Sequence, residues 1–510
     1  MRAYEWAWIG VVQKQAQAAV ECRGAGRWIA RPAGPHAKGD RFMSPLSALA
    51  TGFADAMRCG RRRIQLTKGL LALAMLAALG LGVSQRARAQ QPEYLSAAQR
   101  AADFAAFCDF VAESYAYFDL KRTDWSRACR HYAAQVPAAT LRPAYISLLE
   151  RALGELFDAH AHLGTNTPAS FRLVPSQTDL VGHWQGEMAF ITAVRADSAA
   201  ARAGLRPGMQ VIAVQGEDIR EVVKTLKPRF VAGDDPAPGD WALQLALAGR
   251  HQDSRTRLTI RMGQGPERQM EFAPARAAPT ALLSSRAIGP LATVRIHNTL
   301  GDQALVAAFD KALLELQGAI ALVIDLRDTP SGGNSSVARG MLGRLVDRML
   351  PYQRHELVSE FRATGVRRVW DEYVLPRGQP FLKPVVVLVG PWTGSMGEGL
   401  AIGLNATRGA AVLGQPMAKL LGANAETVLP HSNIVVRLPA EKLFHVDGTP
   451  REAALPCAVA TAARDDVAKD SELEAALALA ADLAASRPHA PLPPGCLGPR
   501  ATGSANGALR

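Results

Sequence analysis

One serine, Ser395, stands among four glycines in the stretch GPWTGSMGEGL, Gly390 to Leu400, directly after the apolar run Val385–Val389. A serine hydroxyl is a poor nucleophile unless a neighbouring base takes its proton. The negative oxygen that develops on an attacked carbonyl also needs fixed donors. Gly394 and Gly397 let backbone and substrate approach closely, and a helix starting here aims its positive end at Ser395. The N–H of Met396 is then one oxyanion donor. A second glycine-rich strand end, VIDLRDTPSGGNSS, offers the N–H groups of Gly332 and Gly333 as the other. That loop lacks the Gly-Lys-Ser/Thr of a phosphate-binding loop. Gly394 directly precedes Ser395, which breaks the G-x-S-x-G pattern and argues against an ordinary α/β-hydrolase. Taken alone, the Ser395 stretch also reads as a glycine-serine turn into a helix.

A second cluster is LFDAHAHLG, with Asp158, His160 and His162. Alternate strand residues share a face, so His160 and His162 also suit a metal-dependent amidohydrolase. That enzyme needs further His and Asp ligands after later strands, and the 11 histidines are not spaced to supply them. His162, His431 and His445 read as ordinary polar contacts. No CxxC or His/Cys cluster suggests structural zinc, and no cofactor is expected.

The elements that must position these residues fall in a clear order. Residues 95–158 carry apolar residues three and four apart and read as helices. MAFITAVRADSAAARAGLRPGMQVIAVQGEDI reads strand, short helix, Pro-Gly turn, strand. Residues 274–284 form a linker rich in Ala, Pro and Ser. Beyond it, apolar strands (LATVRIH, AIALVIDLR, KPVVVLVG, GAAVLGQ) alternate with helices, which argues an α/β fold. From Arg487 the Pro-, Gly- and Ala-rich chain reads as a disordered tail, 487–510.

The formal charge of +12 suggests a nucleic-acid partner until it is located. Residues 1–89 hold 14 Lys/Arg against 4 Asp/Glu, leaving 44 basic and 42 acidic residues beyond them. The excess belongs to an export signal: a basic start at Arg61–Arg63, an apolar run from Gly69 to Val83, and Ala87-Arg88-Ala89 as cleavage site. The run is short for a membrane span, so no stable span remains after cleavage behind Ala89. Residues 1–42 precede any normal signal, which suggests a start at Met43 or Met57. The protein is then exported, periplasmic or secreted, and its four remaining cysteines allow Cys108–Cys129 and Cys457–Cys496 among three possible pairings.

The run from Met188 to Ile219 resembles a PDZ domain, a module that binds an extended peptide by strand addition. ALVIDLRDTPSGGN, VVVLVGPWTGSMGEGLAIGL, AAVLGQPMAKLLGA and VDGTPREAALP follow in the order of the tail-specific, or C-terminal processing, serine peptidases, a group that includes the tricorn core protease. The resemblance covers most of 95–465. It implies a crotonase/ClpP-like spiral catalytic core over 285–470, an inserted PDZ-like β-rich domain over 178–275 and an N-terminal helical subdomain over 90–165. Thr393, Ser395 and Glu398 match the family's Thr-x-Ser-x-x-Glu, with Ser395 as nucleophile.

The family divides over its base. One branch uses a lysine in Gly-x-x-Thr-x-Gly-Lys; here GQPMAKLLGA places Lys419 one position early and lacks the Thr-x-Gly. The tricorn-like branch uses a histidine from Asp-x-His, matched by Asp158 and His160, and a late glutamate, matched by Glu452. The resemblance therefore implies Ser395, His160 and Glu452, with Lys419 the alternative base and protein or peptide substrates. A catalytically inactive peptide-binding protein of the same fold is the competing reading.

Overall fold

The computed structural model describes residues 94–274, 281–459, 470–488 and 492–499. The export segment and its cleavage point lie outside the described residues. Helix α1 (Ala97–Ser114) starts at a capping box, with Ser96 accepting from the Gln99 N–H at 3.2 Å and Gln99 returning to the Ser96 N–H at 3.0 Å. Helices α2 (Trp125–Ala133) and α3 (Arg142–Gly154) follow. The chain then bends through Asp158 and His160 into the two-residue strand β1 (His162–Leu163).

Next comes an antiparallel sheet. Its strands are β2 (Leu180–Gln185), β3 (Met188–Val194), β4 (Met209–Val214), β5 (Glu217–Asp218), β6 (Thr256–Met262) and β7 (Arg268–Phe272). The spatial order is β2-β3-β4-β6-β7, with β5 beside β4. Helices α4 (Ile219–Leu226) and α5 (Ala237–Ala248) cover it. The composition of AGDDPAPGD (232–240) suggests an inserted loop, but its last four residues form the first turn of α5. That helix lies tight against β2: a Cβ on Gly182 would meet Leu247 at 2.7 Å and Leu243 at 3.2 Å. Asp240 of α5 accepts the Trp184 N–H at 3.0 Å, and Gln244 donates to the Gly182 carbonyl. These are groups on the side of β2 that has no neighbouring strand.

The third segment alternates as expected. It contains β8 (Leu283–Ile288), β9 (Leu291–Ile296), α6 (Ala304–Glu315), β10 (Ala321–Asp325), α7 (Ser335–Leu342), β11 (Leu350–Leu357), β12 (Arg368–Val374), β13 (Val385–Val389), α8 (Met396–Arg408), β14 (Ala411–Gly414), β15 (Ala423–Val428), β16 (Val435–Phe444) and α9 (Ser471–Ala484). Strands β14-β13-β10-β9-β8 form one sheet, parallel except for β8. Every residue of β10 and β13 is buried, because helices pack on both faces of a parallel sheet. Ile324, Val387 and Leu400 share one core, whereas Val323, Leu388 and α9 residues Ala476 and Leu479 share another.

The remaining strands form a second sheet, β1-β16-β11-β12, with β15 also on β16. Phe107, Val111, Ile146 and Leu149 of the helical segment bury against Val436, Leu438 and Ala440 of β16. The first helices and strands from late in the sequence therefore share one core.

The far end of the chain also departs from expectation. Within the segment read as a disordered tail, Cys496 is disulfide-bonded to Cys457. The Val412 N–H donates to the Leu497 carbonyl at 2.9 Å, and Leu497 is buried. A Pro/Gly-rich composition signals weak local structure, but it does not register a covalent staple to the core. The other disulfide joins Cys108 to Cys129 across 21 residues. Chain-entropy arguments make such a loop closure worth about 3 kcal/mol. The double substitution Cys108→Ala/Cys129→Ala should lower the unfolding free energy by roughly that amount in urea titration, whereas an unchanged midpoint would show that the crosslink adds nothing.

Candidate active site

The end of β13 and the end of β10 are tied before Ser395 is reached. Thr393 donates its hydroxyl to the Leu326 carbonyl at 2.8 Å and accepts the Gly390 N–H at 3.0 Å. Thr329 and Thr393 form a parallel bridge. Ser395 then takes φ +52°, a conformation a serine rarely adopts, immediately before α8. Such backbone costs about 1–3 kcal/mol and persists only where neighbours hold it.

Glu398 holds it. Its carboxylate accepts the N–H of Ser395 at 2.8 Å, of Lys419 at 2.8 Å and of Leu420 at 3.1 Å. Arg451 approaches to 3.9 Å. Burial pushes this carboxyl up to about 7, against the pull of Arg451 and the three N–H groups. The motif match singles out Glu398, and the structure shows that it ties Ser395 to a segment more than twenty residues away.

Gly332 shows why the second strand end is glycine-rich. It has φ +63°, and a Cβ there would lie 2.5 Å from the Ser395 Cβ and 2.9 Å from its hydroxyl. Its N–H, expected as an oxyanion donor, is spent on the Thr329 carbonyl at 3.1 Å. Gly332 therefore supplies space rather than a hydrogen bond, because the turn that brings it beside Ser395 consumes its donor. Gly333 lines the cleft, and the Met396 N–H, at the first turn of α8, has no acceptor within its own helix.

His160 and Ser395 line the same cleft of about 830 Å³. Asp158 fixes the approach to the histidine: one oxygen accepts the His160 backbone N–H at 2.9 Å, the other the hydroxyl of fully buried Tyr115 at 2.8 Å. The imidazole Nδ1 donates to the Leu421 carbonyl at 2.6 Å. That bond selects the tautomer whose Nε2 carries a lone pair. Burial drives the imidazolium down to about 4, so the ring is a neutral base at ordinary pH.

The other residues singled out in the sequence fall in different places. Glu452 does not line the cleft; its Oε2 is buried with no hydrogen-bond partner among the described residues, and burial raises its carboxyl. Its neighbour Arg451 reaches the site instead, donating to the carbonyls of Leu420 and Gly422 at 2.5 and 3.0 Å. Lys419 is exposed, takes φ +56° and contributes only its backbone N–H to Glu398. The one-place offset of its motif puts this residue on the bend, with its side chain outside the cleft lining. His162 meets the His160 carbonyl through its own Nδ1 at 3.2 Å. Among the described residues no group of three or more His, Cys, Asp or Glu could hold a metal ion. His431 is exposed and His445 pairs with Asp447 at 2.9 Å, both outside the cleft lining.

Sequence reasoning missed a polar cluster that lines the same cleft. Gln353 and His355 of β11, Trp370 and Glu372 of β12, and Glu441 of β16 all line the cleft. His355 contacts Glu441 at 2.8 Å and Glu372 at 3.3 Å and stacks on Trp370 with ring centroids 5.0 Å apart. Working against burial, the two carboxylates raise its pKa. The available signal was polar residues at period two in PYQRHEL, where an amphipathic strand facing a core would carry apolar ones.

The comparisons agree with this architecture. Residues 291–454 match the family described as Peptidase family S41, and residues 96–154 match the Tricorn protease C1 domain. No curated protein matches the sequence. Among solved structures, mature CPAF complexed with lactacystin aligns over 76% of this chain and 99% of its own, with 15% identity and a TM-score of 0.52. Mature CPAF alone aligns over 78% and 99%, with 16% identity and the same score of 0.52. The photosystem II D1 C-terminal processing protease aligns over 69% and 90%, with 15% identity and a TM-score of 0.46. At these identities the likeness to the two CPAF structures speaks for a shared fold, and the matched families supply the class: the chain is a serine-type peptidase whose residues 291–454 match family S41.

Proposed function

We propose that this peptidase is an exported endopeptidase in which Ser395 is the nucleophile and His160 its base. The observation that carries this reading is the bond from His160 Nδ1 to the Leu421 carbonyl, which leaves Nε2 as an acceptor in the cleft that Ser395 lines. Nε2 takes the Ser395 proton as Oγ attacks the substrate carbonyl. The Met396 N–H, with that of Gly333 beside it, receives the developing oxyanion. The tetrahedral adduct collapses as His160 returns the proton to the leaving amine. Water then attacks the acyl-serine by the same sequence, and the acid product leaves. Glu452 stands behind Arg451 and acts as a positioning charge in this scheme. An amidohydrolase reading of His160 and His162 finds no further ligands among the described residues.

The finer readings rest on separate support. The parallel β9, β10, β13 and β14, linked through helices, support a crotonase/ClpP-like core. The signal-like segment before Gln90 and two disulfides support export. The antiparallel sheet from β2 to β7 supports a PDZ-like module. Recognition of substrate C-termini by strand addition at β2 carries a condition, because Asp240 and Gln244 of α5 already occupy that side. The helix must yield before a peptide pairs there.

Ser395→Ala should abolish hydrolysis of a casein-type substrate with an unchanged circular dichroism spectrum, and a fluorophosphonate should label the wild type at Ser395. Full activity in that variant would refute the nucleophile. Gly332→Ala drives a methyl into the Ser395 side chain and should cost about a hundredfold or more in kcat, in the range of a lost oxyanion donor. Wild-type turnover would contradict the close packing.

The pH profile tests the base. His160 has a depressed pKa, so its neutral form dominates above about 4 and is lost as pH falls through that value. kcat/KM should fall along an acid limb there. A single limb at the ordinary histidine value near 6.5, still present after Glu398→Gln, would count against a buried His160. Finally, Asp240→Ala/Gln244→Ala should strengthen binding of a peptide carrying a free C-terminus, read by fluorescence anisotropy. Unchanged affinity would remove β2 as its docking edge.

A further inference from the structure

A second cavity, of about 150 Å³, lies beside the bend that carries His160. Its apolar walls come from separate parts of the chain: Leu153 at the end of α3, Leu163 of β1, Phe171, and Trp241 and Leu245 of α5. Those walls are fixed to one another. Gly154 lets the Trp241 ring come so close that a Cβ there would lie 3.2 Å from it. Phe171 forms an antiparallel bridge with Arg250, and the Arg172 backbone N–H donates to the Gly249 carbonyl at 3.0 Å.

The polar groups in the walls are answered by the protein itself. Asp158 accepts from the His160 N–H and the Tyr115 hydroxyl. The Arg172 guanidinium donates to the carbonyls of Ala248 at 3.0 Å and Asp253 at 2.6 Å. Glu150 is hydrogen-bonded to Ser170, and His162 meets the His160 carbonyl. Asn166 lies at the exposed rim. What is left for an occupant is aliphatic and aromatic surface. An apolar cavity of about 150 Å³ accepts one benzene-sized group. A charged occupant would lose its hydration there without gaining a partner.

Ala159, His162, Leu173 and Val174 line both this cavity and the cleft of Ser395. The two spaces therefore adjoin, and their common edge includes the neighbour of the base. A peptide held in the cleft passes that edge, where one of its side chains can enter the cavity while its backbone stays beside Ser395.

We infer that this cavity is a specificity subsite for one bulky apolar side chain, leucine- to phenylalanine-sized, of the peptide cleaved at Ser395. The inference rests on the reading of Ser395 as the nucleophile. Trp241 and Leu245 limit the size of the side chain admitted, so the domain of the antiparallel sheet takes part in choosing the bond that is cut.

The test uses peptides that differ only in alanine, leucine or phenylalanine at each position flanking the cleaved bond. Their C-termini are amidated, so that capture of a free C-terminus at β2 does not enter. For wild-type enzyme, kcat/KM should favour leucine or phenylalanine over alanine at one position by about tenfold or more, the gain from burying one such side chain. Leu245→Trp fills the cavity and should bring that ratio to within about threefold. Leu245→Phe, a milder filling, serves if Leu245→Trp loses its native circular dichroism spectrum. Trp241→Ala enlarges the cavity and should favour naphthylalanine over phenylalanine at the same position by about threefold or more. The same peptides are also bound to Ser395→Ala and read by anisotropy, so that recognition is measured without catalysis. If no peptide is cleaved but Ser395→Ala binds the bulky side chain more tightly, and filling the cavity removes that difference, the nucleophile assignment fails and the subsite stands. A ratio near one at every position in both binding and cleavage overturns the subsite. So does a ratio left unchanged by both the filling and the enlarging variant.

Discussion

The buried carboxylate of Glu398 is the contact on which the site depends. It binds the backbone N–H of Ser395 on one side and those of Lys419 and Leu420 on the other. The next residue, Leu421, presents the carbonyl that orients His160. One side chain thus connects the loop bearing the serine to the segment that aims the histidine. Ser395 comes from the end of β13, and His160 from the bend after the first helices. Without a common anchor their separation would depend on the drift of two loops.

Burying a carboxylate is costly unless its charge is answered by donors. Here three N–H groups and Arg451 answer it, and Arg451 also ties down the Leu420 and Gly422 carbonyls. The raised pKa of Glu398 records how incompletely these offset desolvation. Two non-glycine residues with positive φ, Ser395 and Lys419, lie at the ends of this clamp. Their strain is the local cost of turning both N–H groups toward one carboxylate. The antiparallel sheet is tied to the loop after β10 and to the loop bearing Ser395: Arg195, just beyond β3, binds Asp328 at 2.5 Å, and Trp392 donates to the Thr178 carbonyl at 2.9 Å.

Much of this was legible where side-chain type alone carried the information. The alternating apolar strands announced the parallel sheet, and the two glycine-rich strand ends announced a close approach at Ser395. The resemblance supplied His160, which spacing alone also allowed as half of a metal pair. What escaped reading depended on backbone atoms or on strands distant in sequence. Leu421 acts through its carbonyl, which no residue type advertises. Gly332 looked like a donor, and only the turn shows its N–H spent. Glu452 lies beside the residue that reaches the site. The cluster around His355 assembles across three strands, so its members are scattered between Gln353 and Glu441. The closure of β2 by α5 was hidden because Asp240 and Gln244 look like ordinary helix surface residues.

Single-turnover hydrolysis of a peptide substrate by a folded Glu398→Ala variant tests the clamp most directly. The account predicts that the acylation rate falls by about a hundredfold or more, the cost of misplacing reacting groups by an ångström, while the far-UV spectrum stays native. Acylation at the wild-type rate in a folded Glu398→Ala protein would contradict the claim that this carboxylate holds Ser395 and His160 in register.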